Sequence, residues 1–451
     1  MFGRSLAACC LASLLALPAR ADEAAWKAGV ARVDITPELP IWLAGYGARN
    51  RPADGVLDAL SAKSLALEDA QGNRAVLVTV DLAGISRELT AEVCRRIETR
   101  HGVPRSAVAI CTSHTHSGPS LRGFLQPLFA FDADQQRRID AYTDKLLDDL
   151  ADVAGTAVAS LAPARLSHAQ GKATFAVNRR NNVEKEVPQL RSAQALVGPV
   201  DHDLPVLLVH GAEGSLRAIV AGYACHATVM DGYRVSGDWP GAAQNEIERR
   251  HPEAVALFWA GCGADQNPLP RRTTELLNQY GQEFADEVDA VLRGPFAPLR
   301  AELQTRYREI PLPFGPLPAR ADLEAQFAKQ TAATREGRWA KHLLDIWDRK
   351  GALPSDYPYP VQAWRLGDVT WLFLGGEVVV DYSLRLKAEL AATAWIASYA
   401  NDVMGYIPSR RVLAEGGYEG GLARFPFGLP APWDPRVEEL IVAAVRDLAA
   451  R

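Results

Sequence analysis

The sequence has little cysteine and uses it without pattern. Of six cysteines, Cys9 and Cys10 stand in an N-terminal apolar stretch. The other four, Cys94, Cys111, Cys225 and Cys262, are scattered through the rest of the 451 residues. No CxxC pair occurs, which argues against a disulfide scaffold and against cysteine-ligated zinc. Buried free thiols, or one incidental bridge, are what such spacing leaves. A long basic run is missing as well. Lys and Arg total 49 against 54 Asp and Glu, a formal charge of −5 with both signs spread along the chain. Phosphate backbones demand clustered cations, so nucleic acid is not an expected partner. After the N-terminus no stretch is apolar for the ~20 residues that a spanning helix needs. There is no G-x-S-x-G nucleophile elbow, which argues against an ordinary α/β-hydrolase. There is no G-x-x-x-x-G-K-[ST] loop to cradle a phosphate.

What is present begins with MFGRSLAACCLASLLALPARA, residues 1–21. Arg4, an apolar stretch through Leu17, and small residues at Ala19 and Ala21 read as a secretory signal with an A-x-A cleavage site. Leu6-Ala7-Ala8-Cys9 looks like a lipoprotein box, but its apolar segment follows the cysteine instead of preceding it. A mature chain from about Asp22, secreted or periplasmic, is therefore expected, with peripheral membrane contact left open. Length alone suggests two or three domain-sized units.

One pattern recurs three times. KSLALEDAQGNRAVLVTVDLAGIS reads as two strands turning at Gln71-Gly72-Asn73, followed by a helix and the strand AVAICTSHTH. LPVLLVHGAEGSLRAIVAGYACHA turns at Glu213-Gly214 and precedes the helix AAQNEIERRH and the strand AVALFWAGCGADQNP. VQAWRLGDVTWLFLGGE turns at Gly367-Asp368 before the helix VVVDYSLRLKAELAA and the strand WIASYANDVMGYIP. Turn residues between β-branched or aromatic runs support the hairpins, and the 3.6-residue apolar spacing supports the helices. The expected fold is mixed α/β: three ββαβ-like modules around a central site, with helical or loop insertions near 125–165, 272–295 and 320–350. Pro-rich stretches at 310–319 and 424–434 read as loops.

Polar chemistry falls at the strand ends of these modules, where α/β proteins assemble sites. In an extended segment, His114 and His116 point the same way and could share one cation; two histidines capping a strand end is an equal competitor. His226 follows a strand that reads as buried, and taken alone is more often a satisfied core histidine. Glu377, after an apolar strand and two glycines, is costly to bury unless paired or metal-bound, although a carboxylate there also suits the following helix dipole. Tyr406 and Tyr418 bracket IPSRRVLAEGG. Arg179 and Arg180 could bind a carboxylate or an oxyanion, or form an exposed basic loop.

Together these motifs resemble the neutral ceramidase family in its N-terminal catalytic region. The matching pieces run in order: GVARVDITP at 29–37, AGYG at 44–47, KSLALED at 63–69, LVTVDLAGI at 77–85 and SHTHSGP at 113–119. NR at 178–179, CHATVM at 225–230, SGDWPG at 236–241, GGE at 375–377 and YEGG at 418–421 follow. The resemblance implies a neutral-ceramidase-like catalytic domain with a zinc ion on His114, His226, Glu377 and Tyr406. It places His116, Arg179 and Tyr418 around metal and substrate. The family's loop Asn-Ala-Gly-Asp-Val-Ser-Pro-Asn, whose serine lies beside zinc, corresponds here to residues 261–268, GCGADQNP. It has no serine, and Gln266 or Asn267 takes roughly that place. The family's C-terminal immunoglobulin-like domain is not expected, so residues 22–451 read as one domain.

These departures argue against ceramide itself as substrate and leave the zinc in place. The implied activity is a zinc-dependent hydrolase, an amidase acting through activated water on an N-acylated, lipid-like or other small molecule. His116 or Asp265 would handle protons, Arg179 and Tyr418 would stabilise the oxyanion, and Gln266 would orient substrate or water. The apolar stretches 123–131 and 424–433 could line a channel for a hydrophobic substrate or simply pack. The competing readings are a zinc hydrolase of ester, sugar-linked or phosphate substrates, and a non-catalytic binding protein with a structural zinc.

Overall fold

The computed structural model describes residues 26–391 and 393–450; the segment read as a signal, residues 1–21, lies outside them. A nine-stranded sheet dominates. Along it run Val255–Ala260, Leu216–Tyr223, Asp203–Gly211, Ala162–Lys172, Trp26–Asp34, Ser61–Glu68, Arg74–Val80 and Val108–Thr112, with Ala297–Pro298 paired off the path. Its middle is antiparallel, while the outermost pair at each end is parallel. Both parallel pairs are bridged by a helix, Arg87–His101 at one end and Asp238–Arg250 at the other.

Period-two patterning sorts this sheet's side chains into two cores. Val76, Val78, Val108, Ile110, Val206, Leu208, Ala256 and Phe258 join helix residues such as Ile97, Leu150 and Phe284. Their neighbours Leu77, Ala109, Leu207, Leu257 and Trp259 face the other way, onto Trp364, Trp371, Phe373 and Trp395 of a second sheet. That sheet has the order Leu303–Pro313, Asp356–Leu366, Val369–Leu374 and Trp395–Ala397, the last pair parallel and bridged by the helix Val380–Glu389. Two of the ββαβ stretches thus occupy opposite ends of one sheet, and the third stands in a sheet of its own.

The chain after Trp395–Ala397 acts as a strap between them. Ser398 N–H donates to Ala260 O at 2.9 Å, Thr112 N–H to Tyr399 O at 3.3 Å, and Asn401 N–H to Ile110 O at 2.7 Å. Edge strands from the two ends of the large sheet are therefore stitched to one segment of the small sheet. This brings three strand ends from distant sequence to one place.

Local chemistry sets the helix ends. The Ser86 hydroxyl accepts from Leu89 N–H, and Gly102 closes the same helix in a left-handed conformation at φ 68°; such a cap contributes about 1 kcal/mol. The insertions carry the helices Ala133–Ala159, Thr274–Leu292, Arg320–Gln330 and Arg335–Lys350. The Pro-rich stretches are more ordered than read. Residues 310–313 complete a strand, because the prolines at 311 and 313 are spaced to point their missing N–H groups the same way, and Arg424–Phe427 forms a helical turn. Cys94, Cys111, Cys225 and Cys262 are all buried free thiols.

Candidate metal centre

His114 lies two residues beyond the strand Val108–Thr112, where the chain has already left the sheet. Its φ is +61°, a left-handed conformation unusual outside glycine, so residues 113–116 are not extended. The rings of His114 and His116 meet nonetheless, centroids 4.7 Å apart and nearly perpendicular. Gly45 makes room for this: a Cβ there would stand 2.5 Å from the His116 ring. His226 follows Leu216–Tyr223. Glu377 pairs in register with Tyr406 in a two-residue parallel bridge, Glu377–Val378 against Tyr406–Ile407.

The donor set is defined by hydrogen bonds. His114 Nδ1 lies 2.6 Å from Ala83 O and His226 Nδ1 lies 2.7 Å from Gly263 O. Carbonyls only accept, so both Nδ1 atoms carry the proton and both Nε2 atoms present lone pairs. Glu377 Oε2 is 3.2 Å from each of these Nε2 atoms, yet it is buried without a hydrogen-bond partner. Three buried electron-pair donors at this spacing repel one another unless a cation lies among them, and imidazole with carboxylate is the ligand chemistry that zinc accepts. His116 Nε2 comes within 3.0 Å of His114 Nε2. The ligand atoms of His114, His116 and His226 all fall within 4.8 Å of one another, so His116 stands among the potential ligands and not merely behind them.

Burial disfavours the protonated form of His226 and His116. Burial, with Arg179 next, lowers His226 to about 4. Burial and the neighbouring imidazoles take His116 well below its ordinary value. Burial alone would raise Glu377; protonated imidazoles at His114 and His226 would instead hold it well below the usual carboxylate range, and with both Nε2 atoms unprotonated it falls to a cation to stabilise the carboxylate. Burial and then Glu377 push the Tyr406 phenol well up.

Beside this cluster, the Tyr406 hydroxyl stands 3.4 Å from His226 Nε2 and accepts from Arg179 Nη2 at 3.1 Å. Arg179 Nη1 donates to Asn267 Oδ1 at 3.3 Å, and Nε to Glu419 Oε1 at 2.8 Å. Burial opposes the charge on Arg179, but Tyr406 and Glu419 outweigh it and keep the guanidinium charged. The Tyr418 ring sits edge-on to Tyr406 at 5.3 Å and is 42% exposed; burial and Glu377 raise its phenol to about 12.

Asp265 and Gln266 are engaged elsewhere. Asp265 Oδ1 accepts from Val380 N–H at 2.8 Å, capping the helix that follows Glu377, and Oδ2 accepts from Asn178 at 3.1 Å. Burial raises its pKa to about 6. The Gln266 carboxamide accepts from Asp201 N–H at 2.8 Å and donates to Ala224 O. In the short strand Gln266–Pro268 successive side chains alternate, so Asn267 is the one that turns to Arg179. Of the apolar stretches, Phe124 packs on Phe427, which reaches Tyr406 at 6.3 Å, while Phe129 and Phe131 pack on Trp42.

Several contributors are not singled out by the sequence, although Tyr46 and Glu419 lie within AGYG and YEGG. Glu419 holds Arg179 and Arg180 together; its place beside Tyr418 in YEGG is the one hint. Arg49 is buried, with Nη1 donating to His116 O at 2.6 Å, and the Tyr46 ring lies 4.9 Å from His116. Tyr399 stacks on His114.

With this geometry in place, likeness to other proteins is informative. The family model described as neutral/alkaline non-lysosomal ceramidase, N-terminal, matches residues 26–266, a span that includes all three histidines. The neutral ceramidase of Pseudomonas aeruginosa is 23% identical over 510 aligned residues, covering 94% of this chain and 72% of that protein. Neutral ceramidase A of Dictyostelium discoideum is 25% identical over 285, covering 61% of this chain and 37% of that one. The crystal structure of the Pseudomonas aeruginosa enzyme superposes with a TM-score of 0.71 at 19% identity, over 94% of this chain and 74% of that one. A ceramidase complexed with C2 gives 0.73 at 20% identity over the same shares. A match across more than half of this sequence, running through the imidazole cluster, means that the chain belongs to the neutral/alkaline non-lysosomal ceramidase family.

Proposed function

We propose that this protein is an exported, zinc-dependent hydrolase that cleaves the amide bond of an N-acylated, lipid-like substrate. The observation that carries the reading is the convergence of His114 Nε2, His226 Nε2 and Glu377 Oε2, three buried lone-pair donors with the Tyr406 phenol alongside. These four residues would hold the ion. Zinc supplies Lewis acidity when bound, polarising a carbonyl and acidifying water. Export rests on the segment 1–21 alone, and N-terminal sequencing of the mature protein tests it.

The rest of the chemistry belongs to the chain. His116, kept neutral by burial and its neighbours, can take a proton at a ring nitrogen. Arg179 brings a permanent positive charge beside Tyr406 and Asn267 and stabilises negative charge developing on a carbonyl oxygen. Tyr418, exposed beside Tyr406, orients substrate. Asp265 and Gln266 act by holding the 261–268 loop against His226 and the helix after Glu377, not by touching substrate; the backbone bond from His226 N–H to Gln266 O at 2.9 Å is part of that support. With no serine in the loop, hydrolysis proceeds by direct attack of water and leaves no acyl-enzyme.

The test pairs elemental analysis with a panel of N-acyl amides, carboxylic esters and phosphate esters. Close to one zinc per chain and turnover of the amides are expected. Activity confined to phosphate esters would overturn the amidase reading.

A further inference from the structure

We infer that Tyr399 is the positioning residue that fixes the His114 imidazole in the metal centre and ties its arm to that of Glu377. This rests on the metal reading above. His114 meets His116 and His226 edge-on, at 82° and 81° with centroids 4.7 Å away, whereas the Tyr399 ring lies nearly flat against it, 4.2 Å away at 28°. The Nδ1 bond to Ala83 O anchors one side of the imidazole but leaves it able to rock about that bond. A ring stacked on its face blocks the rocking and sets the direction in which Nε2 points.

The backbone of Tyr399 does the second part. Its N–H donates to Gly376 O at 3.0 Å, immediately before Glu377. Its carbonyl accepts from both the backbone N–H and the hydroxyl of Thr112 at 3.3 Å, two residues before His114. One residue therefore spaces two arms that come from different sheets. It holds φ +55°, and His114 holds φ +61°. Left-handed backbone at two adjoining non-glycine residues is the kind of strain that a fold retains where a site depends on it. The ring is 1% exposed, so nothing but the site and its surrounding core meets it.

The test uses zinc and cobalt(II) with the full chain. Zinc affinity is measured by chelator competition, and the visible absorption of the cobalt-loaded protein reports ligand geometry. Tyr399→Phe keeps the ring and should bind zinc within about twofold of wild type. Tyr399→Leu should weaken zinc by about tenfold or more and alter the cobalt bands, the range typical for residues that orient a ligand. Tyr399→Gly, which suits the positive φ and deletes the ring, should do the same and covers the case in which the leucine variant does not fold. Leu150→Ala, a core truncation in the helix Ala133–Ala159, should lose stability and leave both readouts unchanged. Wild-type affinity and spectrum in both ring-deleted variants, or equal changes in Leu150→Ala, would overturn the inference and leave the metal reading standing. A wild-type protein that takes up neither metal would remove both.

Discussion

Glu377 and Tyr406 face each other in register across a parallel bridge, so a carboxylate and a phenol are delivered side by side from segments outside both large sheets. Residues opposed in a parallel ladder share a face. The pairing explains why neither residue needs a helix or long strand of its own to reach the imidazoles. It also makes Glu377 the one acidic member of the donor set.

Glu377→Gln keeps the shape and removes the charge. Without the carboxylate the remaining donors are neutral, and zinc content should fall from close to one per chain to near zero. The same loss is expected for His114→Ala. Because a bound ion stabilises the folded state only where it binds, added zinc should raise the melting temperature of wild type but not of Glu377→Gln. Full retention of metal in both variants would refute the site.

His116→Ala separates the two roles open to that residue. As a proton-handling group beside the ion, its loss should leave zinc content intact and abolish the acid limb of the pH–rate profile of an active substrate. Loss of the metal instead would make it a ligand, as the 3.0 Å approach to His114 allows.

Arg179→Lys should leave zinc bound and reduce kcat/KM on the order of 100-fold, the cost typical of losing one well-aimed oxyanion donor. A lysine cannot reproduce the fork that meets Tyr406, Asn267 and Glu419 together. Glu419→Gln should produce a smaller effect of the same kind, since it only holds the fork in place. Metal analysis beside steady-state kinetics checks both.

Much of this arrangement was legible in sequence, and the rest was not for definable reasons. Hairpins turning at Gly72, Gly214 and Gly367 read correctly because turn chemistry and period-two patterning are local. The placement of His114, His226 and Glu377 at strand ends followed from the same patterning. The left-handed turn at His114 was invisible, because nothing in S-H-T-H marks a positive φ. Tyr399, Glu419 and Arg49 were missed because each works through contacts with residues far along the chain. Gln266 and Asn267 could not be told apart by composition; only the alternation in Gln266–Pro268 shows which one turns to Arg179. The joining of the two sheets depends on the strap at 398–401, a tertiary feature with no local signature.

Two buried groups give opposite pH dependences. His226 titrates near 4 in the folded chain, from an ordinary 6.5, chiefly through burial. Above pH 6.5 both folded and unfolded imidazoles are neutral and the contribution is intact. As pH falls through 6.5 towards 4, the unfolded chain takes up a proton that the folded one refuses, and stability drops by up to about 3 kcal/mol at 1.36 kcal/mol per unit. Asp402 is the reverse. Burial, with Glu88 nearby, raises it to about 8 against the Tyr357 hydroxyl that donates to it at 2.7 Å. Its contribution is present below pH 3.8 and lost as pH rises through 8. Denaturant unfolding of the metal-free protein checks both. The stability gap between wild type and His226→Asn should fall from pH 7 to 4, and the gap between wild type and Asp402→Asn should fall from pH 5 to 9.

Gly376 offers a last and more local prediction. Its φ is +77°, and a Cβ would stand 2.6 Å from Ile407 Cγ1 and 2.8 Å from Gly405 O. The carbonyl belongs to backbone that cannot yield without moving the bridge from Glu377 to Tyr406. Gly72 has a similar φ of +84° with nothing within 4 Å of its Cβ position. Gly72→Ala should therefore cost only the left-handed penalty, about 1–2 kcal/mol, and leave metal content alone. Gly376→Ala adds crowding to that penalty. It should cost roughly 3 kcal/mol and lower zinc occupancy, because the displaced segment carries the carboxylate. Equal destabilisation by the two substitutions, with metal unaffected, would show that the bridge tolerates the shift and that Glu377 is not held by its backbone.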